Sequence, residues 1–180
     1  FKACPLLGRS LCQSICETYQ NAQLLELSLQ DMTKFTEQDF ELLLASPKAW
    51  KHLKSLRLCR IGCLNDSIVE RFIELTASTL EGLDVSDNHH LTDAVLASLR
   101  LHGASRLQSL NLSGLKGLTA TGLEAFFTRV DDEAPIVLKS LNLAKCDYEA
   151  VTDRVLELVT SAHNHQTGLV SLNVQGSKLA

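Results

Sequence analysis

Six times along this chain three aliphatic side chains recur in one spacing, L-x-x-L-x-L or L-x-x-L-x-V. The frames are Leu24/Leu27/Leu29, Leu53/Leu56/Leu58, Leu80/Leu83/Val85, Leu107/Leu110/Leu112, Leu138/Leu141/Leu143 and Leu169/Leu172/Val174. Their first leucines stand at 24, 53, 80, 107, 138 and 169, a spacing of 27 to 31 residues. Within each frame the last two aliphatic residues alternate with polar ones, the period of a strand with one buried face. Between frames the apolar residues return at three and four, the period of a helix with one buried face. A unit of one strand and one helix cannot cover its own apolar side, so successive units must stack. The expected architecture is an α/β solenoid of about six repeats, with a parallel β-sheet on the concave side and helices on the convex side.

Local signals mark where each helix begins. Thr36-Glu-Gln-Asp39 precedes Phe40, Leu42, Leu43 and Leu44 as a capped start, and Pro47 closes that helix before Trp50. Asn65-Asp66 caps a helix carrying Ile68, Val69, Phe72, Ile73 and Leu75; Leu91-Thr92-Asp93, Leu118-Thr119 and Val151-Thr152-Asp153 open the next three. Phe126 and Phe127 are expected to thicken the convex layer. Before the first frame, Leu7, Leu11, Cys12, Ile15, Cys16 and Tyr19 form one helical face, so residues 1–23 are expected to supply the helix of a preceding repeat or a cap, and residues 1–180 a single domain. Asn88 stands where a side chain can bond the backbone of adjacent turns; the equivalent positions hold Met32, Ile61, Leu115, Cys146 and Ser177, so apolar packing replaces an asparagine ladder. Loops are expected at Asp131-Asp-Glu-Ala-Pro135 and around Ala162 to Gly168. The chain ends on a strand pattern without a following helix and is expected to be a piece of a longer protein.

Composition narrows the function. A net charge of −4 and a pI near 5.9 argue against direct nucleic-acid binding, which favours basic surfaces. No apolar run approaches the roughly 20 residues of a membrane-spanning helix. Six scattered cysteines in a chain this long fit a reducing compartment better than a disulfide framework. Cys12 and Cys16 lie one helical turn apart, and His89-His90 and His163-Asn-His165 cluster, but none is joined by further ligands at metal-site spacing; no metal or other cofactor is expected. The Asn65-Asp-Ser67 and Asn111-Leu-Ser113 sequons are read as chance matches, the second because a glycan on a strand would collide with neighbouring repeats.

Residues alternating with the frame leucines should face the concave surface: Glu26/Ser28, Ser55/Arg57, Gly82/Asp84, Ser109/Asn111, Ser140/Asn142 and Ser171/Asn173. This lane is polar and small, without a catalytic constellation, and predicts a non-enzymatic chain. The one local charge feature is Lys48, Lys51, Lys54, Arg57 and Arg60, five bases without an intervening acid. Two readings stand: a solvated face, or a rim for an acidic partner or phosphates. On the next repeat Asp84 and Asp87 hold the positions of Arg57 and Arg60, so internal pairing is also expected. The candidate partner-binding residues are Lys54, Arg57, Arg60, Asp84, Asn111 and Asn142.

With Leu91-Thr92-Asp93, Val151-Thr152-Asp153 and Cys146 at the cysteine position, the repeats resemble the cysteine-containing and ribonuclease-inhibitor-like leucine-rich repeats. The run from Leu83 to Asp93, followed by Leu107 to Thr119, resembles the leucine-rich subunit of the fungal nucleotide-excision-repair complex, a family similar in turn to F-box leucine-rich proteins. That resemblance implies a protein-binding adaptor or substrate-recognition subunit of a ubiquitin-ligase or DNA-repair assembly. It further implies a cullin adaptor or repair factor as partner and a nuclear or cytoplasmic location. The alternative is a structural subunit of a large organellar or cytoskeletal assembly.

Overall fold

The computed structural model describes residues 8–19, 23–128, 136–147, 149–161 and 168–177. Helix α1 (Arg9–Tyr19) leads into β1 (Glu26–Gln30), after which strands and helices alternate: α2 (Glu37–Leu44), β2 (Ser55–Cys59), α3 (Asp66–Thr76), β3 (Gly82–Asp84), α4 (Ala94–Leu101), β4 (Ser109–Asn111), α5 (Ala120–Phe127), β5 (Ser140–Asn142), α6 (Asp153–Thr160) and β6 (Ser171–Asn173). The six strands form one parallel sheet in sequence order. Its register places Leu27, Leu56, Leu83, Leu110, Leu141 and Leu172 side by side. The leucine frame therefore sets the sheet register, as expected from its period, and the architecture is a leucine-rich-repeat-like α/β solenoid.

The core lies between sheet and helices. Leu29, Leu53, Leu56, Leu58, Leu80, Leu107, Leu112, Leu138 and Leu143 are wholly inaccessible. Trp50 and Phe40 meet Phe72 edge-to-face from two sides, with ring centroids 5.6 and 6.2 Å away. Trp50 lies in a 3₁₀ turn, Pro47–Trp50, and its indole N–H donates to the Leu43 carbonyl at 3.0 Å, which satisfies the one polar atom that burial would otherwise orphan. Phe126 and Phe127 pack edge-to-face at 5.0 Å, both buried. Cys12 and Cys16 are buried on α1, with the Cys16 thiol directed at the Leu42 carbonyl.

Helix starts follow the sequence signals. Thr36 and Asp39 make a reciprocal capping box, and Asn65, Thr119 and Thr152 accept from backbone N–H groups of their own first turns. Leu91-Thr92-Asp93 departs from this pattern: Asp93 makes no cap bond into α4. Its carboxylate reaches the next repeat, accepting from Thr119 N at 2.9 Å and Thr119 Oγ1 at 2.6 Å. Asp66 receives Thr92 in the same way, at 2.9 and 2.7 Å, and Glu37 receives the Asn65 amide at 3.0 Å. These polar straps tie successive helix starts together. Gly122 belongs to one of them, because a Cβ there would lie 2.0 Å from the Asp93 carboxyl carbon. Ala120 holds the acidic position in the fourth repeat, and the strap stops there.

Within three residues of the end of each strand one residue adopts a positive φ: Asp31, Arg60, Asp87, Gly114, Lys145 and Gly176, between 52° and 88°. That left-handed step turns the chain out of the sheet while its N–H bonds the next repeat, as Arg60 N does to Ser86 O at 3.2 Å and Gly114 N to Ala144 O at 2.8 Å. The expected loop at 131–135 and residues 162–167 of the second lie outside the described residues, as do Cys4, His163 and His165.

Candidate functional site

The strand residues between the buried leucines line a shallow groove on the concave face, formed by Ser55, Arg57, Gly82, Asp84, Ser109, Asn111, Ser140 and Asn142. Register alignment makes two parallel rows of them, one of Ser55, Gly82, Ser109, Ser140 and Ser171, the other of Arg57, Asp84, Asn111, Asn142 and Asn173. From Asp84 onward the second row shares one local duty. Asp84 Oδ1 accepts from Ser86 N, Asn111 Oδ1 from Ser113 N, Asn142 Oδ1 from Ala144 N and Asn173 Oδ1 from Gln175 N, each at 3.1 Å. A short side chain carrying an oxygen is what such a turn requires two residues upstream. Strand alternation puts these residues in the concave lane, as expected; that their oxygens are already engaged follows only from the turns that come after the strands.

The basic stretch is divided between two elements. Lys48 belongs to the 3₁₀ turn and Lys51 ends it, whereas Arg57 lies on β2 and Lys54 and Arg60 flank it. These three are all paired. Lys54 Nζ lies 2.9 Å from Glu81, and Arg57 Nε lies 3.1 Å from Asp84. Arg60 holds Asp31 with two nitrogens, Nε at 2.5 Å and Nη2 at 3.0 Å, and approaches Asp87 with Nη1 at 3.6 Å. The Lys54 ammonium, and more weakly Arg106 and Lys139, hold the Glu81 carboxyl below its ordinary range, and Asp31 holds the Arg60 guanidinium above its own. Pairing with Asp84 and Asp87 matches the expectation. Asp31 and Glu81 were missed, although the signal was available: Asp31 stands at the repeat position of Arg60, and Glu81 at that of Lys54.

Remaining nucleophiles and ligands are dispersed. Cys59, buried at the end of β2 on the pleat side opposite Leu58, lies 3.3 Å from both Asp84 Oδ1 and Ser86 Oγ, and burial pushes its thiol up to about 11. His89 Nδ1 lies 3.2 Å from the Gly114 carbonyl. Among the described residues no three His, Cys, Asp or Glu side chains converge as metal ligands, and no helix is long and apolar enough to cross a membrane.

No family model matches this sequence, and no curated protein matches it. Among solved structures the chain is similar to the tropomodulin C-terminal domain of Caenorhabditis elegans, with 17% identity, a TM-score of 0.57, and 86% of this chain and 93% of that one covered. At that identity the likeness concerns the fold, the leucine-rich-repeat-like solenoid that the strand order and register display.

Proposed function

We propose that this chain is a non-enzymatic protein-interaction scaffold whose concave sheet receives a partner, with Lys54, Arg57, Arg60, Asp84, Asn111 and Asn142 among the contacting residues. The observation that carries this reading is the groove: a row of accessible polar side chains on a parallel sheet, with no described element across it. Solenoids of this kind use the concave side for binding. Ion pairs at the groove do not bar a partner, since exposed pairs contribute only about 0 to 1 kcal/mol and can be exchanged. The biological setting that the repeat resemblance favours is a substrate-recognition or adaptor role in a ubiquitin-ligase or DNA-repair assembly, in nucleus or cytoplasm, with a cullin adaptor or repair factor as partner. The likeness to the tropomodulin domain favours a second setting, a structural subunit of a cytoskeletal assembly.

Affinity capture with the purified chain, followed by binary binding to each captured protein, separates these settings. A cullin adaptor or repair factor bound directly supports the first, and a cytoskeletal protein the second. Arg57→Gln with Arg60→Gln should weaken the direct complex; a partner indifferent to every concave substitution would refute the scaffold reading.

A further inference from the structure

The two halves of the concave face differ in what they leave unpaired. On β1 to β3, Lys54, Arg57 and Arg60 each face an acid from a neighbouring repeat. On β4 to β6 the outward strand residues are Ser109, Asn111, Ser140, Asn142, Ser171 and Asn173, with no charge among them. Each of these asparagines has given its Oδ1 to a backbone N–H. Its Nδ2 is therefore the group left for a visitor, and it is a donor only. Parallel register repeats that donor from strand to strand at about 4.8 Å.

Cations stand before and after these strands in the chain. Arg106 and Lys139 precede β4 and β5, close enough to act on Glu81, which Lys54 already holds. Lys116 and Lys145 follow the same strands. The Lys116 ammonium is anchored over the turn, 2.8 Å from the Lys145 carbonyl and 3.4 Å from that of Cys146, so its position is set by neutral acceptors. Among the described residues none of these four cations forms an ion pair, and all four are exposed.

We propose that the β4–β6 half of the concave face seats an acidic segment of the partner protein, with carboxylates and carbonyls accepting from the Asn111, Asn142 and Asn173 amides between the Arg106/Lys139 and Lys116/Lys145 rims. This rests on the scaffold reading above and adds the chemistry of the occupant. A nucleic acid is the weaker fit: the lane carries no aromatic ring on which a base could stack, and Glu81 and Asp84 border it on the β3 side.

The asparagine oxygens belong to the scaffold, which points to the discriminating substitution. Asn→Asp keeps the turn acceptor, a role Asp84 already fills at the same position, while it replaces each outward donor with an acceptor. The intact chain is titrated against fluorescein-labelled peptides of alternating glutamate and glycine, glutamine and glycine, or lysine and glycine, and against a single-stranded oligothymidine, by fluorescence anisotropy. The glutamate peptide should bind tightest and weaken steeply with salt. Asn111→Asp with Asn142→Asp, and separately Lys116→Gln with Lys145→Gln, should each weaken it by about tenfold or more, a change of about 1.4 kcal/mol, with the melting temperature retained. Equal binding of the glutamate and glutamine peptides, preference for the oligonucleotide, or indifference to both folded variants would overturn the proposal. Preference for the lysine peptide would overturn it while leaving the concave scaffold reading intact. That reading fails separately if a directly bound partner ignores every concave substitution.

Discussion

Replacing Asn88 with alanine tests how one repeat is fastened to the next. Asn88 is 3% exposed, and both ends of its amide are used. Oδ1 accepts from Ile61 N at 2.7 Å, and Nδ2 donates to Leu58 O at 2.6 Å and Val85 O at 2.8 Å, with Ser86 O at 3.2 Å. Two of these bonds cross from the third repeat to the second. Alanine withdraws both, and a buried polar group left without its partner costs about 1 to 3 kcal/mol. Adding the local bonds and the small void, the expected loss is about 3 to 5 kcal/mol, in the range reserved for broken buried networks. Urea unfolding followed by circular dichroism measures it. Asn88→Asp serves as the internal control: it keeps an acceptor for Ile61 N but buries a charge and loses the donors. It should be at least as damaging at neutral pH and partly recover in acid, where the carboxyl carries a proton and donates again. A loss below about 1 kcal/mol for Asn88→Ala would refute the fastening role and show that the turn rearranges around apolar packing, as the repeats bearing Met32 and Leu115 do.

Gly117→Ala sets a Cβ 2.5 Å from the Leu91 carbonyl oxygen at a parallel bridge, so thermal unfolding should show a loss of about 1 to 3 kcal/mol. Gly62→Ala meets nothing within 4 Å and should stay within about 0.5 kcal/mol; similar effects at the two sites would discredit the packing argument. Arg57→Gln with Arg60→Gln removes ion pairs whose arginines are 52% and 57% exposed, and should cost no more than about 1 kcal/mol in a denaturation series. A larger loss would make these arginines part of the scaffold. Burial pushes the Cys12 thiol from 9.0 up to about 12 and that of Cys59 up to about 11. The folded state then keeps protons that the unfolded state releases, so this stability is fully present below about pH 9 and lost as pH rises through the folded values. Cys12→Ala and Cys59→Ala should each flatten the decline of stability in that alkaline window, and an unaltered decline in both would count against the burial argument.

Strand placement was legible because Leu56 and Leu58 leave only one side of the pleat for Arg57, and the same logic holds in every frame. Helix starts were legible at Thr36, Asn65, Thr119 and Thr152, where a short oxygen-bearing side chain precedes an apolar period. Bonds that cross between repeats were harder to read. Asp93 looks like part of a helix start within its own unit, and only the stacking distance shows its carboxylate turning to Thr119. Arg60 could be compared with Asp87 ahead of it, yet its stronger partner, Asp31, lies behind. The outward polarity of Asn111 and Asn142 depends on which end of each amide the following turn consumes, and residue identity alone does not specify that.

The strap that ends at Ala120 gives the solenoid an uneven seam. In a stack where each unit touches only its neighbours, stability is a sum of unit and junction contributions, and cooperative melting breaks first at the weakest junction. Thr152 caps its own helix but, among the described residues, meets no carboxylate of the fourth repeat, so the described parts of the fourth and fifth repeats are joined through the sheet and the apolar core without the convex strap that joins the earlier ones. The C-terminal repeats are thereby free to fray as a block while those before them stay folded. Asn111 and Asn142 sit on opposite sides of that junction, on β4 and β5. A ligand gripping both would brace the joint from the concave side, and its arrival would register as protection from hydrogen exchange in helices it never touches.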